Sequence, residues 1–232
     1  IDFYEGKKIT IQSLLPKLPF FLLSFLFGVI ALFSQNKSGS MNMVAHFSIF
    51  DKIFLASYGL VFYIAKLFVP LHLSSMYLYP VKMNGFLPMQ YYLSPLIIIA
   101  VVLLFFKYKQ LQKELLFGLL FYFFTVAMVI QVVPVGKAIV AERYSYVPYI
   151  GLFFILARFY LMIKNNEIDN AQKIKPFFNG ILIICALIFS FLTWNRNKEW
   201  KDSYTLFSSI IERQPDSYYG YYTRGIGRGL LN

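Results

Sequence analysis

Glu142 and Arg143 stand side by side between two long apolar runs, in the stretch Ile139-Val-Ala-Glu-Arg-Tyr-Ser-Tyr-Val-Pro-Tyr-Ile-Gly151. A guanidinium can grip phosphate oxygens through two parallel hydrogen bonds. A neighbouring carboxylate can orient that guanidinium or bind a hydroxyl. A charged side chain inside hydrocarbon costs about 2.5–3.5 kcal/mol on insertion scales, so the pair is expected in a polar mouth near a membrane surface. Tyr144, Tyr146 and Tyr149 suit that depth, because tyrosine favours the boundary between apolar chains and water. The alternative is that the two charges pair with each other or with the bundle and only pin the loop.

Few other residues invite chemistry. Asp51, Glu142, Asp169 and Asp202 are scattered and form no dyad, and His46 and His72 read as boundary residues. The single cysteine, Cys185, lies inside an apolar run and reads as a packing residue. No disulfide, metal cluster or thiol catalyst is supported, and a divalent metal is not indicated. Tyr77, Tyr79, Tyr91 and Tyr92 are interfacial anchors whose faces could also stack on sugar rings. Arg158 fits snorkelling at the inner end of its helix.

The elements that must hold the acid and base are membrane helices. Of 232 residues, 58% are hydrophobic, 20% aromatic and only 14% charged, too apolar a balance for a soluble domain. The net charge of +11 resides in short loops flanking apolar segments, which fits membrane topology and not nucleic acid. The chain begins at Ile1 without a methionine and stops in a helix-like pattern, so an internal piece of a longer protein is expected.

A first run covers 18–33, behind a polar lead-in with Lys7, Lys8 and Lys17. A second, 53–69, holds Ser57, Gly59 and Lys66 and stops at Pro70; it is the weakest spanning candidate. A long connection, 71–93, leads to four clearer segments at 94–106, 115–135, 147–163 and 177–194. If the loops with Lys107, Lys109 and Lys113 and with Lys164, Lys173 and Lys175 are cytoplasmic, the Glu142 loop and the tail lie outside. The N-terminal lysines then also favour the inside, provided 53–69 lies on the outer face without crossing, with Lys66 snorkelling to water. Six spans with the N-terminus outside is the competing topology.

The chain therefore divides into a transmembrane region, 1–194, and a soluble helical tail, 195–232. In the tail, Trp200, Tyr204, Phe207 and Ile211 are spaced for one helical face. Pro215 and Asp216 close that helix, and a second begins at Tyr218 with Gly220, Gly225 and Gly229 available for close approach. The hairpin is similar to a tetratricopeptide (TPR) repeat, and one repeat cannot bury its own face. A generic amphipathic hairpin lying on the membrane is the other reading.

Taken together, Ala141-Glu-Arg-Tyr-Ser-Tyr-Val-Pro-Tyr-Ile-Gly, one membrane hairpin, and Trp194-Asn-Arg-Asn-Lys-Glu-Trp-Lys-Asp-Ser-Tyr-Thr-Leu-Phe resemble the transmembrane-and-TPR O-mannosyltransferase-like proteins. These are polyprenyl-phosphate-sugar glycosyltransferases of the GT-C type. The lead-in Asp2-Phe-Tyr-Glu-Gly-Lys-Lys and the run from Leu18 also look like that family's middle region. The resemblance implies an all-α fold: a partial GT-C-like polytopic helical bundle followed by the start of TPR-like repeats on the outer or lumenal side. It also implies a catalytic acidic pair in an outer loop upstream of anything present, so no catalytic residue is assigned in this fragment, which is expected to be inactive alone.

Glycosyl transfer from a lipid phosphate needs a base for the acceptor and cationic help for the departing phosphate. Arg143 is the candidate for the phosphate, with Lys137 and Lys82 as secondary candidates on the same face; Glu142 and Tyr146 complete the expected donor site. The expected activity is transfer of a sugar from a polyprenyl-phosphate sugar to protein hydroxyls, with downstream repeats presenting the acceptor protein. The family puts mannose first, but no residue here selects it over another hexose. The alternative is a non-catalytic membrane anchor that displays a TPR scaffold. The bilayer is a partner in both readings and nucleic acid in neither. The expected compartment is a bacterial inner membrane with a periplasmic tail, or an endoplasmic-reticulum membrane with a lumenal one.

Overall fold

Long apolar runs become helices because a helix satisfies its own backbone polar groups without water. The computed structural model describes residues 6, 10–37, 47–107, 112–130, 138–168 and 170–229. Lys7, Lys8, His46, Lys109, Lys137 and Asp169, named above, lie outside them. The described chain is mostly helical, and three stretches are long and apolar enough to cross a membrane: Ile11–Ala31, Glu142–Lys164 and Ala171–Trp200. None of the most apolar window of the first or the third is buried. Phe25 is 74% exposed and Leu187 67%, as side chains facing lipid would be.

The first stretch joins α1 (Ile11–Leu14) to α2 (Leu18–Lys37) through a 3-10 turn at Leu15–Lys17. Pro16 sits at the start of that turn, where its missing N–H costs nothing. The expected run at 18–33 is therefore extended at both ends. Of two other expected spans one comes out longer and one shorter: 94–106 becomes α4 (Met89–Lys107), whose apolar part is Met89–Leu104, and 115–135 becomes α5 (Gln112–Ala127), with 16 residues. Sixteen residues rise about 24 Å, short of a hydrocarbon core of about 30 Å. A turn at 128–130 ends α5, and residues 131–137 lie outside the described part.

The contacts divide the chain into two units, Ile1–Pro70 with Tyr77–Phe153, and Leu71–Met76 with Phe154–Asn232. In the first, α3 (Ile49–Phe68) packs against α4, and α5 follows α4. The helix α3 begins four residues before the expected segment 53–69, because Ser48 and Asp51 cap it. Asp51 N–H donates to Ser48 Oγ at 3.2 Å, and Ser48 N–H donates to an Asp51 carboxylate oxygen at 2.7 Å. Its buried residues Asp51, Leu55, Gly59, Phe62, Tyr63 and Leu67 recur at spacings of three and four, and so form a single stripe. Val69 N–H closes the last turn onto Ala65 C=O at 2.9 Å, and Pro70 follows.

A pair of short strands departs from the all-α expectation. The strands β1 (Tyr77–Leu78) and β2 (Ala138–Val140) run antiparallel, with Tyr77 opposite Val140 and Leu78 opposite Ala138. Ala138, Ile139 and Val140 are all buried, and buried backbone groups need partners that a helix does not supply here. A 3-10 turn at Glu142–Ser145 then leads into α6 (Tyr146–Lys164).

Helices α5 and α6 cross where two glycines meet. A Cβ added to Gly151 would lie 2.5 Å from Gly118 O and 3.1 Å from Tyr122 N, backbone atoms that cannot step aside. Gly151→Ala is therefore expected to destabilise the fold by about 1–3 kcal/mol, the usual cost of overpacking. Gly180→Ala, where an added Cβ meets nothing within 4 Å, should not destabilise. Thermal unfolding of both variants in one detergent checks the contrast.

In the second unit, Phe178 of α7 (Ala171–Asn197) meets Phe159 edge-on at 5.8 Å and Tyr160 stacked at 6.0 Å, which joins α7 to α6. A 3-10 turn, Lys198–Trp200, leads to α8 (Ser203–Arg213) and α9 (Tyr218–Gly229). Asp202 caps α8 by accepting from Thr205 N–H at 2.7 Å, so Trp200 falls in the preceding turn and does not share the face of Tyr204, Phe207 and Ile211. Arg213 clamps Glu199 with two hydrogen bonds, 2.6 and 2.8 Å, while Arg196 reaches the same carboxylate. Gln214 Nε2 donates to Met76 C=O at 2.9 Å, tying 71–76 to this unit. Of the glycines expected to let α8 and α9 approach, only Gly220 does so, with Ile211 3.0 Å from a built Cβ. Gly227 against Ser203 does the rest, and Gly225 and Gly229 meet nothing within 4 Å.

Candidate functional site

The Glu142 loop is held by tyrosines, whose hydroxyls need partners when buried. Tyr63, 1% exposed, uses one oxygen to donate to Ala141 C=O at 3.1 Å and accept from Ala141 N–H at 3.2 Å. It substitutes for a strand neighbour just before the acid. Tyr149 OH donates to Tyr63 C=O at 2.8 Å, and Tyr122 OH donates to Leu60 C=O at 2.5 Å. Thus α5, α6 and β2 are all fastened to α3 near the loop.

Glu142 is half-buried. The β1–β2 register carries Tyr77 toward it, and Tyr77 OH donates to Glu142 Oε1 at 3.3 Å. Phe62 packs edge-on against the Tyr77 ring at 4.8 Å, and Lys66, whose ammonium lies 5.6 Å from the Phe62 ring centre, interacts electrostatically with Glu142. Glu142 is thus pinned by the bundle.

Arg143 turns elsewhere. It is exposed, its guanidinium carbon lies 5.0 Å from the Tyr144 ring centre, and one nitrogen is 3.5 Å from the Tyr144 hydroxyl. Among the described residues no carboxylate pairs with it, which leaves donors of an exposed guanidinium open to solvent. Adjacent in sequence, the acid and the base thus do different things: one fixes the loop and the other is presented. Tyr146 is 73% exposed at the start of α6.

Lys82 is paired with Asp51, away from Glu142. Its ammonium is 2.6 Å from Asp51 and 5.5 Å from the Phe47 ring centre, at the first turn of α3. Glu142 is near Lys66, fifteen residues further along the same helix, a rise of about 22 Å. Burial pushes the Asp51 carboxyl up, but hydrogen bonds from Lys82 and Ser48 outweigh it and leave the pKa below the ordinary carboxylate value. Lys137 lies outside the described residues. Of the expected cluster of Arg143, Glu142, Lys82, Lys137 and Tyr146, the segment from Glu142 to the start of α6 holds Glu142, Arg143 and Tyr146, while Lys82 is engaged by Asp51. Among the described residues no three His, Cys, Asp or Glu side chains come together to hold a metal ion.

Sequence reasoning missed Asp51 and Tyr77 as partners. The spacing Ser48-x-x-Asp51 before an apolar run is a capping signal that could have found the first. No local pattern marks the second.

It also missed a cleft of about 540 Å³ between α3, α4 and α5, lined on its three sides by residues such as Ile64, Phe68, Ile98, Val102, Leu116 and Leu120. Among the described lining residues only Tyr122 has a polar side-chain atom, and that hydroxyl is turned onto Leu60 C=O. Tyr122 and Tyr149 end on carbonyls three residues apart on α3, Leu60 and Tyr63, which joins the cleft wall to the tyrosines that hold the Glu142 loop. Comparison of the chain with protein-family models, curated proteins and solved structures gave no match.

Proposed function

We propose that the chain is the second half of the membrane domain of a glycosyltransferase that moves a sugar from a polyprenyl-phosphate donor to protein hydroxyls on the outer or lumenal face. The observation that carries this reading is the apolar cleft between α3, α4 and α5. Its lining suits a hydrocarbon chain and offers nothing to a sugar, and one wall is shared with the tyrosines behind the Glu142 loop. Arg143 grips the donor phosphate, where an exposed guanidinium stabilises charge on the departing group. Glu142, fixed by Tyr77, sets the height and direction of the loop or accepts a sugar hydroxyl. The acceptor's base comes from the acidic pair that the family carries upstream, and mannose is the sugar the resemblance puts first.

The topology proposed with it puts the lysine-rich loops in the cytoplasm and the α8–α9 hairpin outside, in the periplasm or the endoplasmic-reticulum lumen. The hairpin begins a TPR array that presents the acceptor. The second reading, a membrane anchor displaying a repeat scaffold, is favoured by the close α8–α9 packing at Gly220 and Gly227, which needs no enzyme to explain it.

Photocrosslinking separates the two. A polyprenyl phosphate bearing a diazirine in its isoprenoid chain should label the full-length protein within 60–68, 97–106 and 116–123, and unlabelled donor should compete. Labelling spread over the exposed apolar faces of α2 and α7, with no competition, would count against a donor site.

A further inference from the structure

The α8–α9 hairpin holds a second cavity, about 220 Å³, lined by Tyr204, Tyr221, Arg224, Gly225 and Arg228. Spacings of three and four put the last four residues on one face of α9, and Tyr204 enters from the first turn of α8. The guanidinium carbon of Arg224 lies 5.4 Å from the Tyr221 ring centre and 6.0 Å from that of Tyr204. Two ring faces therefore hold it in place at little further entropic cost on binding. Arg228 stands one turn further along, exposed. Among the described residues no acidic side chain lines the cavity. Gly225 keeps it open: a Cβ there meets nothing within 4 Å, whereas Gly220 and Gly227 are packed against α8 or its own helix start.

We propose that this cavity is an oxyanion site for a phosphoryl group, with Arg224 as the fixed donor, Arg228 as the closing one, and the two tyrosine hydroxyls as further donors. The two arginines come from one helix face, a single turn apart, and both line one small space. Such a pair suits a tetrahedral group with three acceptor oxygens. An acidic peptide would instead present its same-side carboxylates about 7 Å apart along an extended strand, too far for both to enter. The phosphoryl group can belong to an anionic lipid headgroup, since the hairpin follows α7 by a few residues, or to a soluble phosphate. The site is independent of the proposed transfer chemistry, and its test reads no transfer.

The test is arginine footprinting with phenylglyoxal on the full-length protein in nanodiscs, read by peptide mass spectrometry at constant ionic strength. One arm adds inorganic phosphate to phosphatidylcholine discs; the other replaces part of the phosphatidylcholine with phosphatidylglycerol and adds no phosphate. Arg224 and Arg228 should be labelled about tenfold more slowly in at least one arm, as two charge-assisted contacts form. Protection in the first arm assigns a soluble phosphate, and protection in the second alone assigns a lipid headgroup. Gly225→Leu, which fills the cavity without altering charge and suits a helix, should abolish the protection. Unchanged labelling in both arms, equal protection in Gly225→Leu, or protection by an acidic peptide alone would overturn the proposal.

Discussion

Arg143→Ala is expected to lower sugar transfer by the full-length protein about a hundredfold, the usual cost of removing one donor that stabilises developing charge. The guanidinium is exposed, rests on Tyr144 and has no carboxylate partner among the described residues, so its removal should leave the fold intact. Membrane insertion and thermal unfolding should match the wild type, and the loss should appear in turnover. Arg143→Lys keeps the charge but not the planar fork, and should recover only part of the activity. Tyr146→Phe, which removes an exposed hydroxyl from the same expected donor site, should lower transfer by less than Arg143→Ala, because that hydroxyl carries no charge. Transfer from a radiolabelled polyprenyl-phosphate sugar at matched expression reads all three. Undiminished transfer in Arg143→Ala would remove Arg143 from the donor site.

Asp51→Ala should destabilise the fold by about 2–4 kcal/mol, more than Gly151→Ala. Three interactions end on that carboxylate: the Ser48 N–H at 2.7 Å, the Ser48 hydroxyl at 2.7 Å and the Lys82 ammonium at 2.6 Å. A lost cap costs about 0.5–2 kcal/mol, and breaking a buried ion pair costs about 3–5 kcal/mol. The side chains of Asp51 and Lys82 are 11% and 27% exposed, so the pair is only partly buried and the lower part of that range applies. Lys82→Met should cost less, because Ser48 still satisfies the carboxylate.

The same site sets an acid limb to stability. The folded-state pKa of Asp51 lies below its ordinary value, so its contribution is complete above the unfolded value of about 3.9 and disappears as pH falls through the lower folded value. The gap between wild type and Asp51→Asn should narrow over that interval. Unfolding in detergent from neutral pH to pH about 2 measures it. A gap that stayed constant would mean that the carboxylate is not the charged partner of Lys82.

Much of the helical class was legible because apolar runs of span length have few alternatives in lipid. Residues 147–163 and 177–194 fall within the stretches Glu142–Lys164 and Ala171–Trp200, and 18–33 overlaps Ile11–Ala31. The ends were less legible. Hydropathy starts α3 at Ile53, but a polar cap, Ser48 with Asp51, starts it at Ile49. Likewise Asp202 separates Trp200 from the helix its spacing seemed to share.

The site was legible only where it is local. Glu142 and Arg143 announce themselves by standing charged between apolar runs. Their different fates depend on Tyr77, which lies 65 residues from Glu142 in sequence and arrives through a strand pair too short to carry a pattern. Lys82 looked like a third cation for the same anion, because nothing in its neighbourhood reveals Asp51, 31 residues away. Gly227 and Gly225 are alike in sequence, yet one faces Ser203 and the other an open cavity. That distinction is made by the rotation of α9 against α8.

The enzyme proposed above takes its sugar from a lipid phosphate. The most direct measurement is transfer by the wild-type full-length protein, reconstituted in vesicles with radiolabelled polyprenyl-phosphate mannose and an extract of unlabelled acceptor proteins. Radioactivity should enter protein and be released as sugar by β-elimination, as expected of a hydroxyl linkage. Absence of transfer from that donor and from its glucose and N-acetylglucosamine counterparts, with the protein folded and inserted, would contradict the account and leave the scaffold reading in its place.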